Sequence, residues 1–429
     1  MDCKISHPTG ILNGKFNLPA SKSISNRLLI IKVLAQSEFR ISNLSDSDDT
    51  RLLQKALSFK SNVIKVGNAG TAFRFLTALL SMRPGEWILT GSKRMKSRPV
   101  GILVDALRTL GADISYLENE GFPPLKIIGS SLHGGSLVLD GSVSSQYTSA
   151  LLMLAPVLPG GLLIKLKGKI TSKPFIRLTL ELMSRFGIEY SWTANSIRVR
   201  QQEYKSRDFA VEADWTAASY WYEIAALSEQ SDLFLKGLTN SGLQGDAIIA
   251  EIFKSLGVKT RYLPGGVQLT KESYRKIKFN FDFTGNPDLA QTLTVTLTQL
   301  NIPFRLTGLK NLRVKEADRI QALMNELGKT GIILEEPAEG VLEWNGSRRN
   351  AKQNKISVKT YKDHRMAMSF APVCLKSESI IVKKPDVVSK SYPGFWDELN
   401  KAGFFIDFFS KKISLRSRNQ KNILTIKSV

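Results

Sequence analysis

One arrangement of apolar and polar positions recurs along the chain: an amphipathic run, a glycine, then a short alternating run. It reads VDALRTLGADISY around Gly111, LELMSRFGIEYSW around Gly187 and AEIFKSLGVKTRY around Gly257. It returns as QALMNELGKTGIIL around Gly328 and FWDELNKAGFFIDF around Gly403. Apolar residues three and four apart predict a helix with one buried face, and alternation predicts a strand. Each glycine predicts a helix C′ position, where a positive φ is required. The five glycines lie 70–76 residues apart, a longer period than common solenoid repeats have. An earlier copy, LLQKALSFKSNVIKVG at Leu52–Gly67, lacks the glycine and stands only about 53 residues ahead of the next. It predicts a truncated first unit. The plainer alternative is that helix–glycine–strand recurs in any α/β protein.

Each full unit has room for roughly two helices and three or four short strands. Helices alternating with strands predict α/β layers, and six units group naturally as two domains of three. No Pro/Ser-rich linker separates them. The pattern changes near Phe209–Asp214, where strand-like sequence gives way to the helical DWTAASYWYEIAAL.

Composition narrows the class. A chain of 429 residues with 42% hydrophobic content supports two sizeable cores and excludes a disordered chain. The N-terminal MDCKISHPTG has no apolar core of a secretory leader. The apolar stretch Ala150–Ile164 is interrupted by Pro156, Pro159, Gly160 and Gly161, too short and too broken to span a bilayer. A cytoplasmic protein is therefore expected. Cys3 and Cys374 make no disulfide framework, and three histidines (His7, His133, His364) make no Cys/His metal site. The net charge of +22 fits nucleic acid, anionic small molecules or a generally basic surface. Lys and Arg are spread over the whole chain, denser only from Lys411 to Lys427. Most of that charge is therefore assigned to solvated surface.

The candidate chemistry lies at predicted helix starts. LPASKSISNR places Lys22, Ser23 and Arg27 at a loop-to-helix junction, where unpaired N–H groups suit an anion. It is no Walker A loop, because the glycines are missing. GNAGTAFR puts Asn68 and Gly70 before a helix, with Arg74 in its first turn. Arg98 stands before Pro99, a residue favoured at the first helical position. Ser144, Ser145 and Gln146 open an apolar helix, and Ser172 precedes Lys173 and Pro174 in the same way. Asp288 follows Pro287. NLRVKEADR gathers Asn311, Lys315, Glu316, Asp318 and Arg319, with Lys315 and Arg319 four apart on one expected helix face. DHRMAM brings Asp363, His364 and Arg365 to another start, and Lys390 stands ahead of Pro393. Each alone reads equally as a helix cap, a tight turn or a solvated charged face. Together, cations at helix starts in most units predict a positive cleft, provided the helix N-termini converge.

The ordered set LPASKSISNR, GNAGTAFR, RMKSRPVG, SVSSQ, SKPF, NLRVKEADR, DHRMAM and SKSYPGF resembles the signature segments of the 5-enolpyruvylshikimate-3-phosphate synthase family, over nearly the whole chain. That resemblance implies two similar α/β domains, each of three βαβαββ units around a pseudo-threefold axis, with the first unit shortened. One domain would comprise residues 1–20 plus 213–429, the other residues 21–212. The implied reaction moves the enolpyruvyl group of phosphoenolpyruvate to the 5-hydroxyl of shikimate 3-phosphate and releases phosphate, on the route to chorismate and the aromatic amino acids. No metal and no organic cofactor are implied. The partners would be the two small substrates, with no nucleic acid, no membrane and a monomeric chain.

By motif match, Lys22, Ser23, Arg27, Ser144, Ser145, Gln146, Ser172, Asp288, Asn311 and Lys315 would bind shikimate 3-phosphate. Lys22, Asn68, Gly70, Arg98, Gln146, Arg319, Arg365 and Lys390 would bind phosphoenolpyruvate. Asp288 resembles the family's proton acceptor and Glu316, with Lys22, its second acid/base group. The chain departs from the family pattern at Ala20, Phe75 and Phe175. The nearest rival, the enolpyruvyl transferases of UDP-N-acetylglucosamine, carries a loop cysteine at the active site, a place neither Cys3 nor Cys374 occupies. A rival of another class is a non-catalytic anion-binding protein on the same scaffold.

Overall fold

The computed structural model of the protein describes residues 1–349 and 356–410. The basic segment Lys411–Lys427 lies outside the described residues.

The described strands form five sheets of four and one of two. The larger sheets share one lateral order. Strand Val63–Lys65 runs parallel to Gly85–Thr90, which pairs antiparallel with Leu125–Gly129, which pairs antiparallel with Asp113–Tyr116 at the edge. In chain order this is first, second, fourth, third. The sheets that begin with Gly135–Asp140, Ile11–Asn17, Phe279–Asp282 and Ile356–Lys359 repeat it. Parallel neighbours need a crossover, and a helix supplies it; the third and fourth strands need only a hairpin. The last sheet takes its fourth strand, Asp2–Ser6, from the start of the chain.

The remaining sheet is a parallel pair, Ile41–Ser42 with Phe209–Ala210. Helix Asp48–Ala56 runs through residues 57–62 directly into Val63–Lys65. That connection is too short to hold a hairpin, so the copy without a glycine marks the unit that has lost two strands.

Each sheet is associated with two kinds of helix. The second in each unit is the amphipathic helix of the repeat, as in Gly101–Thr109 and Lys173–Arg185. The first is buried nearly all round: Lys22–Leu34, Gly70–Met82, Ser145–Leu154, Trp215–Leu227, Ala290–Gln299 and His364–Phe370. The first three of these touch one another pairwise, and so do the last three. At the second junction, the Ser219 hydroxyl lies 3.2 Å from that of Thr292, itself 3.3 Å from that of Ser369. Small polar side chains there let the helices approach and satisfy one another's hydroxyls.

Four of the five repeat glycines take the expected left-handed conformation: Gly111, Gly187, Gly257 and Gly403 have φ between 78° and 96°. Gly328 does not. It is the last residue of helix Arg319–Gly328, and Gly331 (φ 83°) is the C′ residue. The Ile332 N–H then reaches back to the Leu327 carbonyl, 3.2 Å, as Ala112 reaches Leu107 and Phe404 reaches Leu399 in sister units. The closing turn decides which glycine serves, and the hydrophobic spacing alone does not report it.

Buried side chains form two separate cores. One joins Cys3–Phe16 to residues from Ala213 onward; the other spans Ala20–Val211 and also takes in Leu243. The chain passes between them twice, side by side. Ala20 and Ala213 form an antiparallel bridge, the Ser21 N–H donates to the Glu212 carbonyl and the Asp214 N–H to the Pro19 carbonyl, each at 2.9 Å. Among the described residues, no helix is long and apolar enough to cross a membrane.

Candidate active site

Between the two cores lies a cleft of about 1310 Å³, including the part open to solvent. The N-termini of all six buried helices reach it, through Lys22, Gly70, Ser145, Thr216, Asp288 and His364 or their immediate neighbours. Each brings the partial positive charge of a helix start. The convergence required by the sequence argument is therefore present. Seven cationic side chains and four carboxylates line the cleft, a surplus of positive charge that suits small polyanions.

The crossing positions Lys22. Asp214 caps helix Trp215–Leu227 by accepting from the Thr216 and Ala217 N–H groups at 2.8 and 3.1 Å. Its other oxygen accepts from the Lys22 N–H at 3.2 Å. One carboxylate thus ties together two helix starts on different cores. The Lys22 ammonium lies 3.2 Å from Asp49. Asp49 lies in the first turn of helix Asp48–Ala56 and belongs to none of the motifs that pointed to a ligand.

Arg319 is the hub of the opposite wall. Its Nε donates to Asp363 at 2.8 Å, Nη1 to Asp288 at 3.1 Å and Nη2 to Glu316 at 2.9 Å. The planar guanidinium serves three carboxylates at once, a geometry lysine cannot offer. Asp288 also meets Arg365 at 2.9 Å, and Glu316 meets Lys390 at 2.7 Å. Burial pushes the Asp288 carboxyl up, but Arg365, Lys315 and Arg319 outweigh it and hold it far below the usual carboxylate range. Burial likewise opposes ionisation of Glu316, and Lys390, Arg319 and Arg98 overcome it. His364 is held neutral, first by burial and then by Arg365, Lys22 and Lys390.

Arg98 is different. It is 5% exposed, and its Nε and Nη1 have no acceptor among the described residues. Burial and then the neighbouring Arg74 lower its pKa to about 10. A buried guanidinium with unpaired donors beside a second arginine calls for an anion. A Cβ on Gly70 would stand 2.6 Å from Arg98 Nη1 and 2.7 Å from Arg74 Nη1, so the missing side chain makes room for both.

Ser144 caps helix Ser145–Leu154 by accepting from the Gln146 N–H at 3.3 Å. Gln146 spends its carbonyl on Arg74 and its amide on Thr71, both at 3.0 Å. Ser172 holds a left-handed conformation, φ 52°, and its N–H donates to the Thr284 carbonyl at 2.7 Å. Asn311 donates to the Ser142 carbonyl at 3.1 Å. Arg27 is buried and donates to Thr179, Ser149 and the Ser23 and Phe175 carbonyls at 2.7–3.2 Å, which leaves one N–H without an acceptor among the described residues. Burial lowers its pKa to about 9.

Fifteen of the seventeen site residues expected from sequence line the cleft. Asn68 and Lys390 stand just behind it, joined by a 3.2 Å bond from Lys390 Nζ to the Asn68 carbonyl. Their local settings differ from expectation in three places. Lys315 and Arg319 do not share a helix face: Lys315 is extended at the end of the 3-10 turn Lys310–Val314, and the helix starts at Arg319. Lys390 closes another 3-10 turn, Pro385–Lys390, and does not open the helix that follows. Arg98 and Pro99 precede the helix that starts at Gly101, whose N-cap is Val100. Lys315 and Arg98 enter the cleft on connecting turns, and Lys390 stands behind it on another. Arg74, Asp49, Asp214 and Tyr220 also line it; of these only Arg74 stood beside a motif that pointed to a ligand.

The sequence matches the family profile described as EPSP synthase (3-phosphoshikimate 1-carboxyvinyltransferase) over residues 7–59 and 53–399. A 3-phosphoshikimate 1-carboxyvinyltransferase of Bacteroides fragilis is 52% identical over 403 residues, covering 94% of this chain and 98% of the relative. One from Photobacterium profundum is 36% identical over 428 residues, covering 93% and 98%. The solved EPSP synthase of Acinetobacter baumannii superimposes with a TM-score of 0.75 at 21% identity, covering 95% of this chain and 100% of that one.

Proposed function

The chain belongs to the EPSP synthase (3-phosphoshikimate 1-carboxyvinyltransferase) family, and we propose how its cleft residues divide the transfer of the enolpyruvyl group from phosphoenolpyruvate to shikimate 3-phosphate. The observation that carries the proposal is the buried, unpaired guanidinium of Arg98 facing the Glu316–Arg319–Asp288 array.

Arg98, Arg319, Arg365 and Lys390, with Asn68 and Gly70, hold the phosphate and carboxylate of phosphoenolpyruvate. Ser144, Ser145, Ser172, Asn311 and Lys315 hold the 3-phosphate of the acceptor. Ser23, Gln146 and the remaining N–H of Arg27 contact its ring, and Lys22 reaches both substrates. Asp288 takes the proton of the 5-hydroxyl as its oxygen bonds to C2 of phosphoenolpyruvate. Glu316, assisted by Lys22, delivers a proton to C3. In the second step the C2–O bond to phosphate breaks, C3 returns a proton to Glu316, the departing phosphate carries off the proton that Asp288 took, and the enolpyruvyl ether and inorganic phosphate remain. The intermediate keeps its carboxylate and phosphate, so preorganised cations stabilise it without reorganising.

The very low proton affinity of Asp288 and Glu316 suits the cleft without substrates, where both act as counterions to Arg319, Arg365 and Lys390. Substrate phosphates and the carboxylate take over that duty, and the two carboxylates regain the basicity that proton transfer needs.

We further read residues 1–20 plus 213–429 and residues 21–212 as two domains, each of three βαβαββ units about a pseudo-threefold axis. The separate cores, the common strand order and the pairwise contacts of three buried helices in each support this. A monomer acting in the cytoplasm is part of the reading; the buried free thiols Cys3 and Cys374 fit a reducing compartment. The test is phosphate release from phosphoenolpyruvate. It should depend on shikimate 3-phosphate, and UDP-N-acetylglucosamine should not replace it. Absence of release with shikimate 3-phosphate would sink the assignment.

A further inference from the structure

Arg94, to which no role in the reaction has been given, reaches from the Ala20–Val211 core to the loop that carries Lys315 and Glu316. It lies on the short helical turn Lys93–Lys96, whose start is capped by the Ser92 hydroxyl accepting from the Met95 N–H at 3.2 Å. Met95 is fully buried and anchors that turn in the Ala20–Val211 core. From there the Arg94 side chain leaves its own core. Nη2 and Nε both donate to the Lys315 carbonyl, at 2.7 and 3.2 Å, and Nη2 also approaches the Arg313 carbonyl at 3.5 Å.

The receiving carbonyls have a reason to need it. The 3-10 turn Lys310–Val314 ends at Lys315 in an extended conformation, so its last carbonyls lack partners within the turn. The same loop presents Asn311, Lys315 and Glu316 to the cleft. On its own side it is held by the Arg313 side chain, which pairs with Asp318 and Glu336. From the other core, Arg94 holds its Lys315 and Arg313 carbonyls. Four residues after Arg94 on the same segment, Arg98 points into the cleft.

We propose that Arg94 is a positioning residue: its hydrogen bonds to the Lys315 and Arg313 carbonyls form only when the two halves close, and they fix Lys315 and Glu316 in register with Arg98. One segment thereby sets both an anion-binding arginine and the loop that carries the acid/base group. The proposal rests on the function assigned above. Arg94 itself touches no reacting atom.

The test compares wild type, Arg94→Ala, Arg94→Lys and, as a control on the same turn, Lys93→Ala. Three quantities are measured for each: kcat and KM for phosphate release, the affinity for shikimate 3-phosphate alone by calorimetry, and the melting temperature without substrates. Arg94→Ala should lower kcat about 10- to 100-fold, the range set by losing hydrogen bonds from a charged donor. Melting temperature should stay near wild type, because both cores are untouched, and shikimate 3-phosphate affinity should fall much less than kcat, because Ser144, Ser145 and Ser172 still hold the 3-phosphate and only Asn311 and Lys315 lose their register. Arg94→Lys, able to reach one carbonyl, should recover part of kcat, and Lys93→Ala should behave as wild type. The inference is overturned by an Arg94→Ala enzyme with unchanged kcat. It is also overturned by a parallel fall of kcat, affinity and melting temperature that lysine does not rescue. Wild type without turnover would overturn the functional reading first, in an arm that contains no variant.

Discussion

Glu316→Gln changes shape little and removes a charge that two buried cations share. Glu316 Oε1 lies 2.7 Å from Lys390 Nζ, and Oε2 lies 2.9 Å from Arg319 Nη2. After substitution Arg319 keeps Asp288 and Asp363, while Lys390 keeps the Asn68 carbonyl. The new amide must turn its NH₂ toward one of the two cations. Breaking one partner of a buried ion pair costs about 3–5 kcal/mol. The substrate-free enzyme should lose stability on that scale, read as a lower urea midpoint for the half that contains this loop. Phosphoenolpyruvate should restore much of the loss, because its anionic groups replace the missing counterion. Turnover should not recover with it: removing an acid/base group typically lowers the rate by about 10²–10⁴-fold. The measurements are urea unfolding with and without phosphoenolpyruvate, and phosphate release under saturating substrates. A wild-type midpoint without ligand, or turnover within threefold of wild type, would refute the reasoning; so would a stability gap that phosphoenolpyruvate leaves unchanged.

Asp288→Ala should cut phosphate release by roughly 10²-fold or more while shikimate 3-phosphate still binds; complete loss of binding in calorimetry would assign the residue a purely positional role. Gly245→Ala would place a methyl carbon 2.2 Å from Pro174 Cβ on the other core. It should therefore lower turnover by holding the halves apart, with the melting temperature little changed, and unchanged kcat would contradict this. Gly328 and Gly331 form a paired test by thermal unfolding. Gly328 is helical with open space at its Cβ, so Gly328→Ala should stabilise by about 0.4–1 kcal/mol. Gly331→Ala should destabilise, since φ is 83° and the Cβ would meet the Arg349 carbonyl at 2.2 Å; the opposite ranking would return the cap to Gly328.

Much of the architecture was legible in the sequence because its signals are local. The repeat reports which face of each second helix is buried. The missing glycine before Gly67 marked the unit left with two strands. The motifs named all but a few of the residues that line the cleft. Where local spacing was asked to report a non-local fact, it failed. Lys315 and Arg319 are four apart, yet Lys315 is itself extended and the helix begins only at Arg319. The QALMNELGKTGIIL run holds two glycines, and a bond from Ile332 back to Leu327 selects the later one. Asp49, in a helix's first turn, and Asp214, an N-cap, acquire their part in the site only when the helix start at Lys22 is brought against them.

By itself, the sequence determined the α/β repeat, its short first unit, the family and the residue types at the cleft. Tertiary structure alone decided that six helix starts face one another, that Arg319 serves three carboxylates at once, and that Arg94 bridges to the Lys315 carbonyl. Propensity and periodicity act over a few residues and set backbone shape and buried faces. Convergence joins residues hundreds of positions apart, and only the packing of two cores about a double crossing brings them within hydrogen-bonding distance.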